Sequence, residues 1–568
     1  MSAEIEWNIK DTSSPKTTDE LIEKLLSMRN ITGKTREMFF DTSVTDILDD
    51  VIALFNKDDI DTLVGQIKEA IDNNKPIIIH GDYDVDGISG TAILWETIYN
   101  EMGYELVRPF IPHRAEHGYG VSEESVNDIE KMMEELGGLG LVITVDCGIT
   151  GKYAIEYGKE KGIAFGVTDH HTVQEDKRPI GVPVLHTYQL CGAGIAWVLS
   201  ILLKQSMNGS DISDSAVYES GLDLVAMATI ADVQSLVGYN RVLVTAGLEL
   251  LSHTQRVGLK ELYKRADIVD KPIGTYEVGW LIGPRINAMG RLEHGLDSLR
   301  LLCTKSEKQA ASLADVMNDT NQARQEMTEL AIQTASQKVY QHNWQDDLIL
   351  VVVDETWHEG ILGLIAGKLV ERFGVPVIAL GPGDGFLKGS ARSVSGFNVA
   401  EALKENEDLL LQAGGHEMAA GLSMDQGNVE ELRGRLKEKA KEIFGEDKPP
   451  KVLTIDLCLS PEVLTIETVS ALEKLSPHGV DNPRPLFCIN DAVITNKKLL
   501  GQTGKHVKLE LGIPGTKIAN LEAIAFNWGD RIDEFALSDQ VDIAGTLEIN
   551  TYFDDPRLQI KIKDIKKH

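Results

Sequence analysis

Three apolar, β-branched runs in this chain each end abruptly in acidic or imidazole side chains. Ile77-Ile78-Ile79 leads into His80-Gly81-Asp82, and Leu141-Val142-Ile143-Thr144-Val145 leads into Asp146-Cys147-Gly148. Ile163 to Val167 leads into Thr168-Asp169-His170-His171. Runs of this kind predict strands, and the helical stretches between them are long enough for crossovers. The three strands are then parallel, with their ends gathered along one edge of a sheet. From residue 46 to 305 apolar runs alternate with helical stretches, which predicts an α/β domain with a mostly parallel sheet. Asp223 to Asp232 is apolar and helix-like, and would bring Asp232 to the same edge. Ser306 to Tyr340 contains neither Pro nor Gly, and Ser306 with Gln309 reads as a capping box. A helix over Ser306–Tyr340 would be roughly 50 Å long, and the segment 306–345 would bridge two domains. A second α/β unit is predicted over 346–448, from Leu348–Val353 and Val375–Leu380 to the linker signal Lys448-Pro449-Pro450. From 449 to 568 the pattern changes to period two, as in His506-Val507-Lys508-Leu509-Glu510-Leu511 and Leu558-Gln559-Ile560-Lys561-Ile562, which predicts a small barrel. Residues 1–45 are polar and show no pattern.

Composition narrows the class without deciding the function. No apolar run approaches the 18 or more residues a membrane span requires, and the first residues lack the basic and apolar regions of a signal peptide. Five cysteines without a CxxC pair argue against a disulfide framework or a zinc knuckle, and fit a reducing cytoplasm. Cys147 reads as a small packed residue. The 88 acidic residues outweigh 56 basic ones, for a net charge of −32. Nucleic-acid binders usually carry a basic footprint, so binding here needs Lys and Arg gathered in one channel and metals offsetting carboxylates. Such binding should be confined to lower salt than that of a basic nuclease.

The strand ends carry the candidate chemistry. Asp82, Asp84 and Asp86 alternate, so an extended segment would place them on one face. Carboxylates that close repel one another unless a cation sits among them. Either a divalent-metal site lies at the carboxyl end of a parallel strand, or this is an acidic strand-end loop in an acidic protein. Asp146 and Asp169-His170-His171 at neighbouring ends favour the metal. Mixed imidazole and carboxylate suits Mn²⁺ better than a structural Zn²⁺ site. More carboxylates than one ion needs points to two ions, which at roughly 3.5–4 Å separation activate water against a phosphoester.

His80-x3-Asp84-x-Asp86, Asp146, Asp169-His170-His171 and Ile230-Ala231-Asp232 together resemble the DHH phosphoesterase superfamily. Arg285-Ile286-Asn287-Ala288-Met289-Gly290-Arg291, Trp357-His358-x-Gly360, Ser390-Ala391-Arg392-Ser393 and Gly414-Gly415-His416-Glu417-Met418-Ala419-Ala420-Gly421 resemble its RecJ branch, from about residue 40 to the end. The resemblance implies an α/β multidomain protein: a DHH parallel-sheet domain (46–305), a long bridging helix, a DHHA1 α/β domain (346–448) and a C-terminal OB-fold-like β-barrel (449–568). It implies a single-stranded-DNA-specific 5′→3′ exonuclease releasing 5′-mononucleotides in DNA repair and recombination.

By the same resemblance His80, Asp84 and Asp146 hold one Mn²⁺, with Mg²⁺ as the other candidate. Asp86, Asp146, His170 and Asp232 hold a second, with Asp146 bridging. Asp82 and Asp169 stand behind the ligands, and His171 contacts the scissile phosphate, protonates the leaving oxygen or merely packs. Arg114, Ser390 and Arg392 form a pocket for a terminal 5′-phosphate, since a guanidinium fork donates two parallel bonds to phosphate. Arg285 and Arg291, flanking an Asn-Ala-Met-Gly turn, track the backbone or lock a domain interface. His416 touches phosphate, Gly414-Gly415 admits a ligand close to the backbone, and Tyr119 stacks on a base or packs in the core. A narrow channel between the α/β units would exclude duplex. The partners implied are single-stranded DNA, a single-strand-binding protein and a RecQ-type helicase, with no membrane and a monomeric state.

Some positions depart from the family pattern. Gln234-Ser235 follow Asp232 where a Val-Pro-type pair is usual, and Val182-Pro183-Val184-Leu185-His186 lacks the usual Asn-Pro before a shortened loop. The chain stops after the barrel, so a further C-terminal domain of longer members and its partner contacts are expected to be missing. Two alternatives stay open: a DHH nanoRNase or cyclic-dinucleotide phosphodiesterase, which the barrel and bridging helix disfavour, and an inactive DNA-binding scaffold, which the intact ligand set disfavours.

Overall fold

After strand β1 (Glu6–Asp11) and four helices, the chain lays down β2 (Ile77–Gly81), β3 (Val107–Phe110), β4 (Leu141–Val145), β5 (Ala164–Asp169) and β6 (Val184–His186). This is a computed structural model, and it describes residues 5–501, 503–514, 520–550 and 556–568. Contacts divide the chain into two units. The larger comprises Trp7–Gly290, His294–Asp315 and Thr454–His568; the other is built on Val316–Leu453 with Arg291–Glu293.

In the larger unit β2 to β6 form an all-parallel sheet in the order β3-β2-β4-β5-β6. β2 and β4 are buried throughout, as continuous apolar runs covered on both faces must be. The chain leaves β2 for β3 on one side and returns to β4 on the other, so the direction of winding switches between β2 and β4. That crevice, beyond the carboxyl ends, is where open α/β sheets bind ligands. The register pairs Gly81 with Val145 and Val145 with Thr168. Asp82, Asp146 and Asp169, each one residue further along, therefore leave the sheet level with one another.

The C-terminal part of this unit is a second sheet of β12 (Val452–Cys458), β13 (Phe487–Leu500), β14 (His506–Gly512), β15 (Leu521–Ala525), β16 (Gln540–Asn550) and β17 (Arg557–Lys567). β13 pairs with β16 as well as β14, so β13-β14-β15-β17-β16 closes into a five-stranded ring. The polar first 45 residues are not idle: β1 extends this sheet beside β12, and Leu21, Leu25 and Leu26 share one core with Leu457, Phe487, Leu509 and Ile543. Their apolar positions are a single helical stripe of Thr18–Met28, which a polar average conceals. The cysteine spacing also misled: Cys458 and Cys488 are register partners across parallel β12 and β13 and form a disulfide.

The loop before β13 is tied to the parallel-sheet domain by Arg241, whose buried guanidinium donates to five backbone carbonyls, one from Phe39 and the others from Lys474 to Pro477. In the same loop burial, and then the charge of Arg484, push the His478 pKa down to about 4. A neutral histidine that cannot readily protonate contributes stability that is complete above its unfolded value of about 6.5. That contribution is lost as the pH falls from about 6.5 to 4. The Tm of His478→Asn is expected to fall less steeply than wild type across this window; parallel profiles would contradict this.

In the other unit β7 (Leu350–Val353), β8 (Val377–Pro382), β9 (Leu387–Arg392), β10 (Leu410–His416) and β11 (Ala419–Met424) make a sheet in the order β10-β11-β9-β8-β7. Leu350 and Val352 face one core and Ile349 and Val351 the other, so both faces are covered. The helix Glu307–Gln341 starts in the larger unit and ends in this one. Its capping box is only half formed: Ser306 Oγ accepts from the Gln309 N–H at 3.4 Å, while the Gln309 side chain accepts from Thr304 Oγ1. Among the described residues no helix is long and apolar enough to cross a membrane.

Candidate metal centre

The strand–loop–helix after β2 arranges its acids differently from an extended segment. The helix Val85–Trp95 begins directly after Asp84, so Asp82, Asp84 and Asp86 do not share a strand face. Asp84 is the N-cap, its Oδ1 accepting from the Asp86 and Gly87 N–H groups at 2.9 and 3.1 Å. Gly87 is required here, because a Cβ would lie 2.5 Å from the Asp82 nitrogen. Asp86, in the first turn, accepts from Gly192 and Ala193 N–H groups, both at 2.7 Å, at the start of the helix Gly192–Asn208. Its pKa is raised by burial, although His170 opposes this.

Asp146 leaves β4 in a left-handed conformation, φ 62°, which Asp tolerates better than most residues. Its Oδ1 lies 3.0 Å from His170 Nε2. The same nitrogen stands 3.6 Å from carboxylate oxygens of both Asp86 and Asp232. Asp232 arrives as the C-cap of the helix Leu222–Ala231. Side-chain atoms group within 4.8 Å as Asp82-Asp84-Asp146, Asp86-His170-Asp232 and Asp146-His170-His171. Asp146 and His170 are thus each shared by two groups. Asp82, expected to stand back, contributes an oxygen at the same range, whereas the groups do not include His80.

Among the described residues four buried atoms here make no hydrogen bond of acceptable geometry: His80 Nε2, Asp82 Oδ1, and Asp146 Oδ1 and His170 Nε2, which face each other at 3.0 Å. Buried polar atoms left unpaired each cost on the order of 1–3 kcal/mol, so such a concentration marks a site built for something else. Burial, reinforced by neighbouring carboxylates, raises Asp82 and Asp146 well above the usual range and Asp84 and Asp232 above it. Burial holds the His80 imidazole neutral, its pKa lowered to about 4. Neutral imidazole and crowded carboxylates are the donor set of a hard or borderline divalent cation. Cys147 Sγ lies 3.5 Å from His80 Nδ1, and burial keeps its thiol protonated.

Asp169 turns away from this centre. One of its oxygens accepts from Ile149 N–H at 2.8 Å and the other from His170 and His171 N–H groups and His171 Nδ1. Against the upward push of burial, these bonds and the His171 charge hold its pKa low. His171 feels burial too, yet Asp169 brings its pKa up to about 9. Tyr119 is exposed and neither stacked in a core nor free: its hydroxyl lies 2.8 Å from His171 Nε2.

The arginines divide. Arg114 is exposed, 5.5 Å over the Tyr83 ring. The segment expected to turn between Arg285 and Arg291 is instead the helix Gly283–Leu292. Arg285 donates to Leu281 O at 2.6 Å and Arg291 to Gly360 O at 3.1 Å, so both are engaged by backbone. In the smaller unit Arg392 donates to Ser390 Oγ at 3.1 Å. His416 pairs in register with Ala419, and Ala419 with Arg392, so His416 and Arg392 stand in one row across β10, β11 and β9. Gly415 is required by its own hairpin: at φ 153° its Cβ would meet Ala420 Cα at 2.5 Å.

Two contributors escaped sequence reading. Asn287 Oδ1 accepts from the Val85 N–H at 3.0 Å and pins the start of the acidic helix. Gln234, flagged only as a departure from pattern, donates from Nε2 to Asp232 Oδ2 at 2.7 Å and sits 3.3 Å from His170 Nδ1. The signal was a polar residue two positions after an expected ligand. An amide carries both donor and acceptor, so it can orient the carboxylate and the imidazole together. Gln234→Val is expected to weaken Mn²⁺ binding by about 10- to 100-fold in calorimetry; unchanged affinity would remove Gln234 from this role.

Family models match in the order of the fold: "DHH family, N-terminal domain" over residues 76–229, "DHHA1 domain" over 345–442 and "RecJ OB domain" over 455–564. The chain is 32% identical to the single-stranded-DNA-specific exonuclease RecJ of Bacillus subtilis, over 99% of this chain and 71% of that protein. It is 33% identical to the RecJ of Thermus thermophilus, over 92% and 73%. The crystal structure of Thermus thermophilus RecJ in complex with Mn²⁺ matches with a TM-score of 0.81 at 28% identity, over 99% of this chain and 80% of that one. A crystal structure of exonuclease RecJ bound to manganese matches at 0.58 and 34% identity, over 67% and 94%.

Proposed function

From the premise that this chain belongs to the RecJ family of single-stranded-DNA-specific exonucleases, we propose that it hydrolyses single-stranded DNA from the 5′ end. The cluster at the β2–β4 switch point would hold two Mn²⁺ ions. The observation that carries this is the overlap of the groups Asp82-Asp84-Asp146, Asp86-His170-Asp232 and Asp146-His170-His171, each with its side-chain ligand atoms within 4.8 Å of one another. His80, Asp84 and Asp146 are assigned to one ion, and Asp86, Asp146, His170 and Asp232 to the other, with Asp146 common to both. Asp82 is close enough to Asp84 and Asp146 to orient them or to join them. When bound, such ions lower the pKa of water and draw charge from a phosphoryl oxygen.

The protein's own groups supply the rest. Asp169 fixes the His171 ring through Nδ1 and keeps it cationic at neutral pH. His171 Nε2–H, opposite the Tyr119 hydroxyl, is placed to pair with a phosphoryl oxygen or to give its proton to the departing 3′-oxygen. Ser390 and Arg392 are assigned to the terminal 5′-phosphate: they lie at the start of the helix Leu362–Phe373, whose dipole favours an anion. Gly363 permits this, since a Cβ there would lie 2.9 Å from Arg392 Nη2. Arg114 is assigned to the same terminal phosphate, and His416 to another phosphate of the strand. The closed barrel suits single strands, which it can hold by stacking and charge without reading sequence. A single-strand-binding protein and a RecQ-type helicase, which would furnish such strands, are the partners this reading calls for, with the enzyme a cytoplasmic monomer.

The test is digestion of a single-stranded oligonucleotide with Mn²⁺, labelled at either end. Immediate release of the 5′ label as a mononucleotide, with the 3′-labelled strand shortening stepwise, is expected. Activity restricted to di- to pentanucleotides would instead indicate a nanoRNase, and binding without cleavage a scaffold.

A further inference from the structure

His171 is held by two residues, and only one of them belongs to the motif around the metal centre. Asp169, the last residue of β5, pairs in parallel register with His186, the last residue of the edge strand β6. Register partners on neighbouring strands project to the same face of a sheet. Asp169 Oδ1 accepts from the His171 N–H at 3.0 Å and from its Nδ1 at 2.8 Å. His186 Nε2 lies 2.8 Å from the His171 carbonyl oxygen. A carbonyl only accepts, so Nε2 of His186 carries the hydrogen and donates it. The backbone of His171 is therefore tied on both sides of its Cα, while its ring reaches out to the Tyr119 hydroxyl.

Tyr188, two positions later, steadies His186 in turn. Its ring stands edge-on to the His186 ring, with centroids 4.8 Å apart and planes at 90°, a favoured arrangement of aromatic pairs. Its hydroxyl accepts from the Val173 N–H at 3.3 Å. Tyr188 is 61% exposed, so burial does not account for where it sits. It spans from the imidazole of His186 to the chain just beyond His171. The segment 171–173 is neither helix nor strand. Such a loop presents a side chain with precision only when neighbouring groups tie its backbone. Both ties come from β6 and the turn after it, where Val182–His186 departs from the family pattern.

We infer that His186, steadied by Tyr188, is a positioning residue for His171, holding the backbone from which that ring reaches the scissile phosphate. The inference rests on the exonuclease reading and on the place given there to His171. At saturating Mn²⁺, His186→Ala is expected to lower kcat on a single-stranded oligothymidylate about 10- to 100-fold, the cost of a reacting group displaced by about 1 Å. KM should not change, because His186 is not assigned to the strand. Mn²⁺ affinity in calorimetry should not change either, because His171 is not assigned to an ion. His186→Gln, whose amide can donate to the same carbonyl, should recover most of kcat. Tyr188→Ala, at an exposed position and so without cost to the core, should lower kcat in the same direction by a smaller factor. Unchanged kcat in His186→Ala or in Tyr188→Ala would overturn the inference alone. So would a glutamine variant no better than alanine, or a loss that comes with raised KM, lowered Tm or weakened Mn²⁺ binding. A wild-type protein that cleaves no single-stranded oligonucleotide would overturn the exonuclease reading and the inference with it.

Discussion

Asp146→Asn is expected to reduce cleavage at least about a thousandfold while making the metal-free protein more stable. The activity loss follows from position: Asp146 is the carboxylate shared by two candidate ligand groups, so neutralising it weakens both sites at once. Metal assistance is worth several kcal/mol of barrier, and each 1.4 kcal/mol is tenfold in rate. The stability gain follows from burial and from Asp86, Asp84 and Asp82, which together lift its pKa far above the unfolded value. A carboxyl raised in this way supports the fold below its unfolded pKa, and that support is lost as the pH rises. At neutral pH the metal-free wild type bears this cost and the asparagine does not. Thermal melts in chelator should show a higher Tm for Asp146→Asn, and adding Mn²⁺ should raise wild type well above its own metal-free value but the variant little. A variant with a lower metal-free Tm would mean that Asp146 is held by structural bonds rather than kept for a cation.

Arg241→Ala is expected to destabilise the larger unit by about 3–5 kcal/mol, among the largest effects a single substitution has. The guanidinium is buried, lies 3.4 Å over the Phe39 ring, and donates to carbonyls on either side of the barrel's entry loop. Removing it leaves those acceptors without their donor, at about 1–3 kcal/mol for each that water or Asn482 does not reach. Burial already lowers the Arg241 pKa to about 10, which shows how far the charge sits from solvent. Arg241→Lys should recover only part, since one ammonium cannot serve this fan of acceptors. Urea unfolding followed by barrel tryptophan fluorescence would measure it; a loss below 1 kcal/mol would show the loop to be held by other contacts.

The legibility of this chain was uneven for physical reasons. Ile77-Ile78-Ile79 and Leu141–Val145 could be read as buried parallel strands because they are short, β-branched and end in polar turn residues, and parallel pairing then fixes which ends meet. Period two in β14 and β17 likewise gave the barrel. The failures share one cause: the information lay in tertiary contact. Asp84 and Asp86 alternate in sequence, yet a cap turns the chain between them, so alternation was mistaken for a strand face. Cys458 and Cys488 are thirty residues apart and neighbours only through the β12–β13 register. The Asn-Ala-Met-Gly segment carries a Gly and an Asn and so resembles a turn, but it is helical because Gly290 must pack against Tyr83 and Asn287 must reach Val85. Gln234 looked like a blemish in a pattern because its partners, Asp232 and His170, are brought together only by the fold.

We propose that one strand-end cluster holds two ions about a shared Asp146. Crystals grown with Mn²⁺ and measured at its absorption edge test it most directly. Two anomalous peaks are expected, one bounded by His80, Asp84 and Asp146 and the other by Asp86, Asp146, His170 and Asp232. A single peak, or two peaks without Asp146 between them, would contradict the account.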